Sequence, residues 1–176
     1  GAALFIKGNL YHDLGGLDAG YFAHMEEIDL CWRLKRAGYK VMACPESTVY
    51  HVGGGTLQYQ SPRKTYLNHR NSLTTLLKNE RVGKLFWLIP LRLVLDGLVG
   101  GTFLLKGQFA HIWEILRAHG YMYANLGKTW KQRKIFNKLI KKASIGAPNQ
   151  AGHLKHGMLF RYYLSGKKTF DQLVGK

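Results

Sequence analysis

The 176 residues are 46% apolar and 20% charged, which excludes wholesale disorder and leaves room for one domain with a core and a helical appendage. Lysine and arginine total 26 against 10 acids, a net charge of +16, yet residues 1–80 carry 9 basic and 7 acidic side chains whereas residues 127–176 carry 12 and 1. Such a basic tail seeks a polyanion, either nucleic acid or an anionic membrane surface; the plainer alternative is a solvated terminus. Cys31 and Cys44 are too few for a disulfide scaffold and are expected as free, buried thiols in a reducing compartment. The start at Gly1, without a basic leader ahead of the first apolar run, is what a fragment of a longer protein would show.

Residues 2–6 (AALFI) are too short an apolar run for a helix and predict a strand. A loop with one helical turn follows, its sharp bends at Gly15, Gly16 and Gly20. Residues 26–37 (EEIDLCWRLKRA) predict a helix, acids first and cations last as the macrodipole favours, ended at Gly38 by a left-handed cap. Residues 39–43 and 47–52 read as two more strands around Pro45, and Gly53–Gly55 open a mobile loop reaching Ser61. Ser61 as N-cap and Pro62 at the first helical position start a helix to about Asn79.

Residues 85–105 are the most apolar stretch and long enough to cross a bilayer, but they contain Pro90, Arg92 and Asp96. Arg92 and Asp96 are four apart and can pair on one face. Three readings stay open: a buried core helix, a helix lying in or re-entering the membrane interface, and a full span. Residues 108–126 predict another helix, with Trp113, Tyr121, Tyr123 and, just beyond, Trp130 as aromatics suited to a headgroup level. Residues 128–142 (KTWKQRKIFNKLIKK) have the pattern of a basic amphipathic helix for a membrane surface or an acidic partner. Packing of the helices 62–79, 84–105 and 108–126 on one another is expected to bury most of the apolar surface.

The chemistry-bearing cluster is Glu26, Glu27 and Asp29, three carboxylates at the start of one helix. Their mutual repulsion favours proton uptake by one of them, which suits a general base; equally, acids at a helix start can serve the dipole alone. Asp29 can also hold Arg33 at i,i+4.

The residues Gly15-Gly16-Leu17-Asp18-Ala19, Tyr21-Phe22, Glu26-Glu27-Ile28-Asp29-Leu30 with Arg33, Gly38-Tyr39, Pro45, His51, Tyr66 and Arg70-Asn71 follow one another in an order and spacing that resembles the second half of the catalytic domain of family 2 glycosyltransferases. These enzymes have the GT-A fold, and the rhamnosyltransferase-like bacterial members are the most similar. The resemblance covers about residues 1–80. It implies an α+β class: a partial GT-A domain, with a small mixed sheet and a short helix, over residues 1–80. A helical, partly amphipathic, membrane-proximal extension over 81–145 and a basic tail over 146–176 follow.

The resemblance also implies roles. The second acid of the motif, here Glu27 where the family usually has Asp, deprotonates an acceptor hydroxyl that displaces a nucleoside diphosphate with inversion. The extra methylene moves the carboxylate by about an ångström, so Glu26 or Asp29 are alternatives. His51 implies one ligand of a divalent metal, manganese or magnesium, that neutralises the leaving diphosphate. Substrate contacts are implied at Asp18, Arg63, Arg70 and Asn71, with Lys64 beside them, although the cations could be ordinary solvated helix charge. No Asp-x-Asp occurs in the sequence. The chain is therefore expected to hold the acceptor side without the donor site and to be inactive alone. Its expected partners are a nucleotide sugar, a glycan or lipid-linked acceptor and, through residues 85–142, an anionic membrane at the cytoplasmic face of a bacterial inner membrane. A homodimer through the truncated sheet edge and a non-catalytic basic module binding membrane or nucleic acid are the remaining expectations.

Overall fold

The computed structural model describes residues 3–50 and 61–152, together with Gly166, Thr169 and Gln172. The helices among them are α1 (Gly8–Asp13), a 3-10 turn at Ala19–Tyr21, α2 (Glu26–Arg36), α3 (Pro62–Asn79), α4 (Val82–Leu105), α5 (Phe109–Ala124) and α6 (Leu126–Ala143). The capping chemistry matches the sequence: Lys64 N–H donates to the Ser61 hydroxyl at 3.3 Å, with Pro62 opening α3. The end of α2 is tied down from far along the chain. Ile145 N–H donates to the Ala37 carbonyl at 3.0 Å and Asn149 N–H to the Lys35 carbonyl at 2.7 Å, supplying partners that a helix end otherwise lacks. Gly38 has φ +94°, and a Cβ there would stand 3.2 Å from the Gly146 nitrogen, so both the turn and the crossing backbone require glycine.

Two apolar clusters hold the helices together. Leu14, Leu30, Leu34, Ala37 and Ile140 join α1 and α2 to the far end of α6. Leu73, Leu77, Leu85 and Met122 join α3, α4 and α5. The apolar face of α6 is thus spent inside the protein: Ile140 is buried, and Phe136 lies under the Arg33 guanidinium at 4.3 Å and the Lys78 ammonium at 4.4 Å. What α6 turns outward is mainly lysine, with Trp130 and Ile135 partly exposed.

The α+β expectation is overturned. Among the described residues there is no strand and no sheet, and the architecture is helical. Residues 3–7 and 39–50 form no ladder among the described residues, and a turn at residues 45–46, with Ser47 N–H donating to the Cys44 carbonyl at 3.2 Å, divides the second segment; Phe5 is 89% exposed, Met42 81% and Tyr50 97%. A strand exists through pairing, and β-propensity describes a side chain fitted to a half-buried pleated surface, which neither segment meets here. The sheet edge invoked for a homodimer is likewise absent among the described residues. Cys44 is exposed rather than buried, while Cys31 is half-buried, its thiol pushed up by burial and by the charge of Glu27.

By length and composition α4 could cross a membrane, yet it is no core helix: only Leu85 and Asp96 of its 24 residues are buried. Phe86, Trp87, Val94, Leu98 and Leu105 face outward, as do Trp113 and Leu116 of α5, so the α3–α4–α5 packing leaves much of this apolar surface uncovered. The buried polar group, Asp96, is well surrounded. Arg92 Nε is 2.8 Å from its Oδ1, His119 Nε2 is 3.0 Å from Oδ2, and His69 Nε2 stands 3.5 Å from Oδ1. His69 Nδ1 donates to the Thr65 carbonyl at 2.9 Å, and burial pushes the imidazole pKa down.

Candidate functional site

The segment between Asp18 and α2 is bent sharply. Asp18 accepts a hydrogen bond from Gly20 N–H at 2.8 Å, and Phe22, His24 and Met25 all take positive φ, 65°, 68° and 76°. Three non-glycine residues in that region store strain, so the surroundings must over-determine them. Asn71 and Arg70 do so. The Asn71 amide donates to the carbonyls of Tyr21, Ala23 and His24 at 3.1, 2.7 and 2.7 Å, and the side chain is fully buried. Arg70 donates to the Tyr21 carbonyl at 2.6 Å, the Gly20 carbonyl at 3.1 Å and Asn71 Oδ1 at 2.8 Å, and its guanidinium lies 5.5 Å from the Tyr66 ring and 5.3 Å from the Tyr121 ring. This Arg-Asn pair is a clamp that aims the start of α2.

Asp29 lies one turn inside that helix and is wholly buried. It is bound by Arg33 at 3.0 and 2.8 Å, Asn79 at 2.6 Å, the Tyr21 hydroxyl at 3.2 Å and Lys78 at 3.1 Å. Arg33 goes on to donate to the Leu14 and Gly16 carbonyls, locking the Gly15-Gly16 turn. Lys78, also buried, is 2.7 Å from Asp18. Burial raises the Asp18 carboxyl, but the hydrogen bond and charge of Lys78 more than offset this and hold it below the usual range. Burial, and then the charge of Asp29, push the Tyr21 hydroxyl well above its ordinary pKa. Two carboxylates and two cations thus neutralise each other out of water. Asp18 and Asp29 are spent in this network, and Asp29 offers no surface to a substrate.

Glu26 and Glu27 remain at the mouth of α2, half-buried at the positive end of its dipole. Beside them, Glu26 Oε2 and His24 Nε2 are buried atoms without a hydrogen-bond partner. Phe22 projects 62% exposed, with Arg63 5.1 Å from its ring. The mouth therefore combines two carboxylates, an imidazole, an aromatic ring and a guanidinium, a set able to hold a polar acceptor and take its proton. His24 was not among the residues singled out from the sequence; its place two positions before the paired acids is the signal that marks it. His51 and the glycine loop lie outside the described residues. Among the described residues no group of three or more His, Cys, Asp or Glu could hold a metal ion.

Comparison with known proteins gives a partial likeness. Two curated proteins from Mycobacterium tuberculosis, from strains CDC 1551 and H37Rv, both N-acetylglucosaminyl-diphospho-decaprenol L-rhamnosyltransferases, are 30% identical to this chain over 97 residues, 55% of the chain and 31% of each relative. The chain spans about a third of the length of these relatives. No family model and no solved structure matches. Over about half its length the chain is thus distantly similar to these two glycosyltransferases.

Proposed function

We propose that this chain is the acceptor-side part of an inverting glycosyltransferase that moves a sugar from a nucleotide-sugar donor to a glycan carried on lipid, in cell-surface polysaccharide synthesis. The observation that carries the reading is the mouth of α2: in a segment distantly similar to rhamnosyltransferases, one carboxylate of the motif, Asp29, is wholly buried and ion-paired, while Glu26 and Glu27 are half-buried near His24, whose Nε2 has no hydrogen-bond partner. Glu27 takes the proton from the acceptor hydroxyl as its oxygen bonds to the anomeric carbon and the nucleoside diphosphate leaves from the opposite face with the bonding electron pair. Glu26 and His24 orient the hydroxyl, and Phe22 and Arg63 border the acceptor. A divalent cation held with the help of His51 would neutralise the leaving diphosphate; proton removal at Glu27 does not depend on it.

The donor site of this enzyme lies outside these 176 residues, and the protein works at the cytoplasmic face of a bacterial inner membrane, its α4–α5 face against the lipid. Support for the membrane comes from the exposed Phe86, Trp87, Leu98 and Trp113 beside a basic surface. The same aromatic and apolar character disfavours a nucleic-acid module, whose contacts would need cations without so much exposed hydrocarbon. The test is transfer from a panel of nucleotide sugars to lipid-linked glycan, comparing this chain with a version extended by a nucleotide-binding half. Transfer with anomeric inversion by the extended protein alone is expected. Robust transfer by the 176 residues alone sinks the division of the site, and no transfer by either sinks the function.

A further inference from the structure

A groove of about 680 Å³ opens on the flank of α2, between the α3–α4 corner, α6 and residues 148–150. Five cations line it: Lys35, Arg36, Arg81, Lys84 and Arg133. Among the described residues none of the five stands in an ion pair. By contrast the wholly buried Arg33 has Asp29 for a partner. Arg133, also buried, donates to a neutral acceptor, the Leu77 carbonyl, at 2.7 Å. Arg36 donates to the Asn137 amide oxygen at 2.7 Å, and its Nη1 is buried with no partner. Burial presses the pKa of both guanidiniums down, and in Arg36 the nearby charge of Arg133 adds to it. Glu80 lines the groove too, but one acid does not balance five cations. A guanidinium out of water and short of an acceptor calls for an anion.

The place of the groove in the fold narrows which anion. Arg81 is the N-cap of α4 and Lys84 lies in its first turn, and just beyond them Phe86 and Trp87 are 81% and 55% exposed. Cations thus stand where the uncovered apolar face of α4 starts, and charge, aromatic ring and hydrocarbon follow in the order met on entering a bilayer. We propose that the groove seats the headgroup phosphate of an anionic membrane phospholipid, its acyl chains lying along the outward face of α4. Planar guanidiniums meet two phosphate oxygens at once, and a basic pocket beside a lipid-facing helix suits an anionic headgroup. A free phosphate gains nothing from the apolar strip, and a zwitterionic headgroup brings a further cation into a groove that already has five. The phospholipid is a mooring that fixes the depth of α4, and it undergoes no reaction. The proposal rests on the reading that the α4–α5 face meets lipid; it does not depend on sugar transfer.

The experiment is native mass spectrometry of the folded protein released from micelles that hold phosphatidylglycerol and phosphatidylcholine in equal amounts, with partition onto vesicles of each lipid measured alongside. Retained phosphatidylglycerol is expected to exceed phosphatidylcholine by about tenfold or more, the effect of one charge-assisted hydrogen bond. Arg36→Gln and Lys84→Gln should each lower that retention several-fold, and Lys84, being exposed, is replaced without disturbing the packing. Lys138→Gln removes the same charge from an exposed position of α6 that does not line the groove, and should leave retention unchanged. Soluble glycerol phosphate should not displace the lipid. No preference for phosphatidylglycerol, equal losses in all three variants, or displacement by glycerol phosphate overturns the proposal. A protein that shows no preference yet still partitions onto vesicles loses the groove alone; one that partitions onto neither vesicle loses the lipid-facing reading of α4–α5 with it.

Discussion

The α2–α3 junction and the α4–α5 hairpin each bury an aspartate against an arginine four residues away, Asp29 with Arg33 and Asp96 with Arg92. In the first pair both side chains are fully buried; in the second Asp96 is 2% exposed and Arg92 31%. Asp29 sits on the inward face of α2, where Leu30 and Leu34 are buried too, with Arg33, Lys78 and Asn79 buried around it. Asp96 sits on the inward face of a helix whose outward face is Phe86, Val94 and Leu98, so polarity there runs from the inside out. The same i,i+4 pairing therefore serves as framework in one region, whereas in the other it fastens a helix whose remaining surface suits lipid better than water.

The largest effect expected is from Asp29→Ala. It leaves Arg33 and Lys78 as buried cations without their shared partner and should cost about 3–5 kcal/mol in urea unfolding, whereas Asp96→Asn, with two imidazoles able to re-pair, should cost clearly less. Equal losses would erase the distinction between the regions. Asn71→Ala removes the donor to three carbonyls of the strained loop and should cost about 1–3 kcal/mol, with faster amide exchange confined to residues 20–25. Smaller again, replacing Trp87 and Trp113 together by Ser should lower partition onto anionic vesicles by about tenfold, roughly 1.4 kcal/mol, with thermal stability unchanged. A drop in stability with unaltered vesicle binding would make that face a protein interface. The smallest effect is with pH. His69 has a lowered pKa in the fold, so below about 6.5 the unfolded chain takes up the proton first and stability falls as the medium is acidified. His69→Gln should remove that part of the slope.

The helices were legible because their signals are local: Ser61-Pro62 at a start, Gly38 at an end, acids and cations ordered along α2. The strands were not, since residues 39–50 have strand composition but no pairing partner among the described residues, and pairing is a property of the whole chain. The amphipathic pattern of α6 was visible too, but periodicity cannot say whether lipid or Leu34 covers Ile140. At the site, the Asp29–Arg33 pair followed from spacing, while the loop clamp by Arg70 and Asn71, about 50 residues away in sequence, required coordinates.

The central claim is that Glu27, and not Asp29, removes the acceptor proton. In the donor-complete enzyme, kcat for Glu27→Gln should fall by about 10²–10⁴-fold with an unchanged KM for the nucleotide sugar, and Glu27→Asp should restore part of it. A folded Glu27→Gln enzyme that turns over at the wild-type rate would contradict the account.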